Sequence, residues 1–234
     1  MRLVTWNIRH GATGSGRVDL GALSDFCAHL RPDLLALQEV DRGVWRSGFA
    51  DTASAVAEAT GMQSVFGPAR RLGPGGRYGN ALLARGRLEG VEQLRLPRDA
   101  RREQRAAILA TAHLDHHGTP VTVLATHLGF TRSEALRQLG VCLHSLGRRP
   151  GPAALLGDLN LGPETVEPAC ADAGLDVADT DEPTFPADDP EYRIDHIATT
   201  GLEVLSVAVI EGPVSDHRTV VAEVRNRPKS IHLD

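Results

Sequence analysis

Lysine is nearly missing from this 234-residue chain: Lys229 is the single lysine among 25 basic residues, the rest being arginine. With 30 acidic residues the formal net charge is -5, which excludes a protein that grips nucleic acid through a global basic field. Aromatic residues make up only 4%, too few for a base-stacking platform or a duplex wedge. The three cysteines, Cys27, Cys142 and Cys170, are far apart and form no C-x-x-C pair, so neither a disulfide frame nor a zinc site is expected, and the thiols are read as reduced core residues. No apolar run approaches the ~18 residues of a membrane span. The chain opens directly on MRLVTWNI without the zones of a signal peptide, so a cytoplasmic location is expected. Composition nowhere shifts as it does at a linker, and no internal repeat occurs. We expect one domain over 1–234, acting as a monomer.

Short β-like runs are plentiful: LVTWNI (3–8), LLALQEV (34–40), NALLA (80–84), AAILATAHL (106–114), VTVLATHL (121–128), AALLG (153–157), IDHIATT (194–200), VLSVAVI (204–210) and TVVAEV (219–224). Helical periodicity appears between them. Leu20, Leu23, Cys27 and Leu30 share one face after Asp19, a candidate N-cap, and Ala135, Leu139, Cys142, Leu143 and Leu146 do so after Ser133. Thr52–Thr60 and Pro163–Ala173 read as two more helices, the second with proline in its first turn. Gly73–Gly79 and Asp181–Tyr192 are rich enough in Gly or Pro to be long loops.

Polar residues punctuate the strand ends. Asn7, Glu39, His127, Asp158 with Asn160, Asp195 with His196, and Asp216 with His217 each close or border an apolar run. One Asp or Asn after a strand is ordinarily a turn residue, and for Asp158 and Asn160 an Asx turn is the competing account. Nine such residues at six strand ends are a different matter, because the strand ends of a layered sheet protein converge on one rim.

T-W-N-I, L-Q-E-V, T-H-L, G-D-L-N, I-D-H-I and S-D-H, in this order over nearly the whole chain, resemble the endonuclease/exonuclease/phosphatase superfamily, and most nearly its short bacterial metal-dependent hydrolases. The resemblance implies a four-layer α/β sandwich, two mixed sheets face to face with helices outside, and divalent-metal-dependent phosphoester hydrolysis. It implies Glu39, Asn7 and Asp216 around Mg²⁺ or Mn²⁺, and Asp158 as base for the attacking water with Asn160 orienting it. It further implies that Asp195 orients His217 and keeps it protonated against the phosphate, and that His127 is a second donor or a leaving-group acid. The chemistry of the residues agrees. Hard divalent ions take oxygen ligands and keep waters, so one or two carboxylates and a phosphate oxygen suffice. Positions i and i+2 after a strand point the same way, which suits Asp158 and Asn160.

Arg102 and Arg105 begin a strand where relatives often hold a phosphate-contacting arginine, and the sequence does not separate the two. Abasic-site endonucleases of the superfamily carry an aspartate two residues after the first asparagine and a tyrosine near the position of His127, whereas this chain has Arg9 and His127. That departure weakens the repair-nuclease reading and is more similar to the deoxyribonuclease, sphingomyelinase and small-phosphodiesterase branches, which use histidine. A small or lipid-derived phosphoester is the expected substrate, a DNA or RNA nuclease is the alternative, and a binding module without turnover is disfavoured by the intact acids. Trp6 is expected in the core and Trp45 near the substrate. His116 and His117, with Gly118, read as a hairpin turn.

Overall fold

The computed structural model describes residues 1–227, and Lys229 lies outside the described residues. In chain order the strands are β1 (Arg2–Asn7), β2 (Leu34–Arg42), β3 (Gln63–Arg71), β4 (Arg77–Ala84), β5 (Gly86–Arg95), β6 (Ala106–Leu114), β7 (Val121–His127), β8 (Ala153–Asp158), β9 (Asp176–Val177), β10 (Asp195–Thr200), β11 (Leu202–Ile210) and β12 (Thr219–Asn226). The helices are α1 (Leu20–Leu30), α2 (Thr52–Thr60), α3 (Arg132–Gly147) and α4 (Pro163–Asp172).

Two six-stranded sheets result, ordered β11-β12-β1-β2-β4-β3 and β5-β6-β7-β8-β10-β9. Each contains one parallel pair, β1 with β2 and β7 with β8, and all other pairings are antiparallel. Parallel neighbours need a crossover, which α1 supplies in the first sheet and α3 in the second. Asp19 caps α1 as expected, its carboxylate accepting from the Ala22 N–H at 3.0 Å. The third helix begins at Arg132, before Ser133, with Thr131 at the N-cap.

Alternation along the strands builds three apolar layers. On β1, Leu3 joins Leu34, Ala36, Leu82, Ile108, Val123, Leu156 and Ile197 between the sheets, while Val4, Trp6 and Ile8 pack under α1 and α2 with Leu23, Cys27 and Val56. The other outer layer sets Leu124, Leu155 and Ala198 against Leu139, Cys142 and Cys170. This is the four-layer α/β sandwich, and all three cysteines are free and buried in it. Among the described residues no helix is long and apolar enough to cross a membrane.

Three strands carried no signal in the sequence: β3, β5 and β9. All are edge strands. An edge strand shows little apolar alternation where its neighbours do not cover it, and β3 even tolerates Pro68. The expected Gly73–Gly79 loop is accordingly shorter, since β4 already begins at Arg77.

Candidate active site

The faces that bury Leu3 on β1, Leu156 on β8, Val123 on β7 and Ile197 on β10 deliver, at their strand ends, Asn7, Asp158, His127 and Asp195. Apolar residues between the sheets thus give way to a polar cluster at one rim. Register places Asp158 directly between His127 on β7 and Asp195 on β10. Gly157 permits this packing, because a Cβ there would lie 2.2 Å from the Thr126 carbonyl oxygen.

Glu39 reaches the same rim by a different route. Strand alternation from Leu34, Ala36 and Gln38 would aim it at the helix layer. The β2–β4 register shifts between Leu37 and Val40, and Glu39 takes φ of 58°, so the bulge turns its side chain round. Its Oε1 accepts from the Asn7 amide nitrogen at 3.3 Å, and that nitrogen also donates to Asp158 Oδ2 at 2.9 Å. Arg9, His10, Asn160 and Ser215 share the left-handed backbone region with Glu39. Such strain in non-glycine residues is retained where surrounding structure enforces it, and it clusters at functional sites.

Asp158 Oδ1 accepts from the Asn160 N–H at 3.0 Å, while the Asn160 amide nitrogen donates to the Leu128 carbonyl at 3.0 Å. The Asx turn weighed as the competing account is therefore present, and it fixes the carboxylate within the cluster. Burial and the nearby Asp195 charge raise the Asp158 pKa.

His217 Nδ1 lies 2.9 Å from Asp195 Oδ2, which also accepts from the Thr184 hydroxyl at 2.7 Å. Burial alone would lower the His217 pKa, but the charge and hydrogen bond of Asp195, with the charges of Asp158 and Asp216 behind them, outweigh it and push the pKa up to about 10. Ser215 donates its hydroxyl to the Asn7 carbonyl, and the Phe185 ring packs 4.7 Å from the His217 ring. Thr184, Phe185 and Ser215 had no sequence signal beyond neighbouring a motif or lying in the Asp181–Tyr192 loop.

On the opposite side His127 Nε2 lies 3.3 Å from Asp158 Oδ2, and its Nδ1 is 3.2 Å from Arg105 Nη1. Burial, then the Arg105 charge, then His217, hold the His127 pKa well below its ordinary value. Arginine cannot accept a hydrogen bond, so Nδ1 is the acceptor and the proton sits on Nε2. The structure separates the two arginines that the sequence could not: Arg105 is buried beside His127, whereas Arg102 lies exposed on a turn, its N–H donating to the Asp99 carbonyl. His196 points to the other face, with Nε2 2.8 Å from the Leu161 carbonyl. Trp45 is 71% exposed on a single 3-10 turn after β2, and Trp6 is fully buried, its indole donating to the His217 carbonyl.

Two groups of side chains have the composition of a cation site. Asp158, Asp195 and His217 present ligand atoms within 4.8 Å of one another. Asp195 Oδ2 is shared by His217 and Thr184 and a protonated imidazole has no lone pair to offer, so of Asp195 only the buried Oδ1 is free of a hydrogen bond. Glu39 and Asp216 fit better. Burial raises the Glu39 pKa against the opposing Asn7 hydrogen bond and Arg105 charge, with a smaller upward push from Asp216, so Glu39 is a buried carboxylate that a hard cation would relieve. Asp216 otherwise meets Arg9, at 3.5 Å.

A family model described as Endonuclease/Exonuclease/phosphatase family matches residues 4–217. Among solved structures, an endonuclease/exonuclease/phosphatase from Beutenbergia cavernae DSM 12333 superposes with a TM-score of 0.81 at 22% identity, covering 97% of this chain and 71% of that one. A mannosyl-6-phosphatase from Bacteroides thetaiotaomicron VPI-5482 gives 0.76 at 17%, covering 96% and 99%. The human Nocturnin catalytic domain with bound sulfate gives 0.75 at 20%, covering 97% and 93%. No curated protein matches the sequence. The family match over most of the chain, on a sandwich whose strand ends bring the motif residues together, shows that the chain belongs to the endonuclease/exonuclease/phosphatase family of phosphoester-hydrolysing enzymes.

Proposed function

We propose that this chain is a divalent-metal-dependent phosphoesterase acting on a compact phosphodiester or phosphomonoester, with Mg²⁺ or Mn²⁺ held by Glu39, Asp216 and Asn7. The observation that carries this reading is the Asn7 amide nitrogen, 3.3 Å from Glu39 and 2.9 Å from Asp158. It joins the acid that suits a cation in one sheet to the acid that suits a base in the other. The bound ion would offset phosphate charge and polarise the phosphoryl group. Asp158, with its raised proton affinity, takes the proton of the attacking water. Asn160 spends its amide nitrogen on Leu128, leaving its amide oxygen to orient that water. His217 gives a charged hydrogen bond to the phosphate. His127, being neutral with its proton on Nε2, gives a neutral one and serves as a donor more readily than as an acid.

Activity on a small chromogenic phosphodiester, compared with plasmid DNA, tests this. In chelator the protein should stay folded and lose turnover, and Mg²⁺ or Mn²⁺ should restore it. Metal at about a hundredfold over its Kd adds about 2.7 kcal/mol, or roughly 5–10 °C in melting temperature for a domain of this size. Glu39→Gln should shrink that rise without unfolding the chain. Full activity in excess chelator would refute the proposal, and cleavage of plasmid alone, steeply salt-dependent, would make the enzyme a nuclease.

A further inference from the structure

We propose that Phe130, standing over Arg105 and His127, walls a leaving-group subsite that selects phosphoesters whose released alcohol carries a flat ring; this rests on the phosphoesterase reading above. Phe130 is 70% exposed, although the chain is poor in aromatics. An isolated exposed ring would need no account. This one is not isolated. Its centroid is 6.4 Å from that of the His127 ring with the planes at 82°, and the Arg105 guanidinium carbon sits 5.1 Å over it.

The backbone beneath the ring is fixed. The Gly129 N–H donates to the buried Gln138 side chain at 2.7 Å, and a Cβ on Gly129 would meet the buried Glu134 carboxylate at 2.7 Å. Both of those residues belong to α3, so the short connection that carries the ring between β7 and α3 is tied to that helix through Gly129. Arg105 is held in turn by Glu103 at 3.0 Å, which also pairs with Arg70 at 3.2 Å.

At the foot of this wall two buried polar atoms make no hydrogen bond, Arg105 Nε and His127 Nε2, although the second lies 3.3 Å from Asp158 Oδ2. Both are donors, so they await an acceptor oxygen of the substrate. A neutral donor at His127 suits the oxygen that leaves, and whatever that oxygen carries then extends along Phe130. The guanidinium occupies one side of the ring through a cation–π contact and orders it. The solvent-facing side is open to a second flat ring in offset or edge geometry, which favours planar over saturated groups of equal size.

Benzyl and cyclohexylmethyl groups provide that contrast at nearly equal bulk and with alcohols of similar leaving ability. We would measure binding of benzylphosphonate and cyclohexylmethylphosphonate to the Mn²⁺-loaded protein, and hydrolysis of the corresponding methyl diesters and monoesters. The wild type should bind the benzyl compound about three- to tenfold tighter, with the same preference in kcat/KM expressed through KM. Phe130→Ala and Phe130→Leu should erase the preference, and Phe130→Trp should keep it. Equal affinities in the wild type, a preference that survives Phe130→Ala, or an equal fall of kcat on both esters would overturn the subsite; the last would mean that the ring merely props His127. Hydrolysis of both esters without preference leaves the phosphoesterase reading standing, whereas no metal-dependent hydrolysis of any phosphoester removes that reading and the subsite with it.

Discussion

His127 and His217 are the same side chain in nearly the same burial, with 3% and 7% of the side chain exposed, and both turn Nε2 toward Oδ2 of Asp158, at 3.3 and 3.8 Å. Their protonation is opposite. Burial acts downward on both, but His127 Nδ1 faces a guanidinium, which adds to that fall, and His217 Nδ1 faces a carboxylate, which reverses it. Burial by itself favours the neutral ring, which the guanidinium reinforces at His127, and it takes a facing carboxylate to turn His217 into a cation. A phosphate between them would meet one charged and one uncharged hydrogen bond, an asymmetry that distinguishes its two sides.

Removing what the histidines share should have the largest effect. Asp158→Asn is nearly isosteric and keeps an oxygen to accept from the Asn160 N–H, yet it cannot take a proton from water. The expected loss is about 10²–10⁴-fold in kcat, with thermal stability the same or slightly higher because a buried charge near Asp195 is gone. If the Asx turn were the only role of Asp158, activity would persist, and a kcat measurement beside a thermal melt separates the two accounts.

Erasing the difference between the histidines comes next. Asp195→Asn takes away the anion that holds His217 charged. The folded pKa of about 10 lies above the unfolded value of about 6.5, so the stability it contributes is fully present below the unfolded value and is lost as pH rises through the folded one. The gap in melting temperature between wild type and variant should thus be widest near pH 6 and narrow toward pH 10. Activity should fall by up to about 10²-fold, and its alkaline limb should move to lower pH. An NMR titration showing His217 neutral across the active range of the wild type would contradict the clamp.

Much of this site could be read from strand ends because the apolar runs before Asn7, Asp158 and Asp195 are regular, and a regular run fixes which face its last residue uses. Glu39 was legible as a residue but not as a geometry, since alternation would have sent it to the wrong face and the bulge depends on how β2 meets β4. Arg102 and Arg105 share composition and differ only in tertiary burial, which no local pattern encodes. Phe130 and Ser215 gain their meaning from partners far along the chain, Arg105 and Asn7, and Thr184 from Asp195 across the turn of its own loop. The edge strands β3 and β5 were lost for the complementary reason, that half of what defines a strand is the neighbour it lacks.

The smallest effect, and the finest test of the histidine pair, comes from Arg105→Met, which keeps a long apolar stem and removes the guanidinium from His127 Nδ1. The stem should still fill its place beside Phe130, while Glu103 retains Arg70 as a partner at 3.2 Å. Burial continues to act on His127, so its pKa should rise without reaching the ordinary value, and the proton should no longer be confined to Nε2. Nitrogen-15 spectra of the imidazoles should show a single Nε2–H tautomer in the wild type and a mixture in the variant, with His217 nearly unmoved. Losing one buried donor and the fixed tautomer should lower kcat/KM by about tenfold or more, less than the loss at Asp158. A His127 that kept one tautomer and its low proton affinity without Arg105 would show that burial alone sets its state, and the contrast between the two histidines would then rest on Asp195 only.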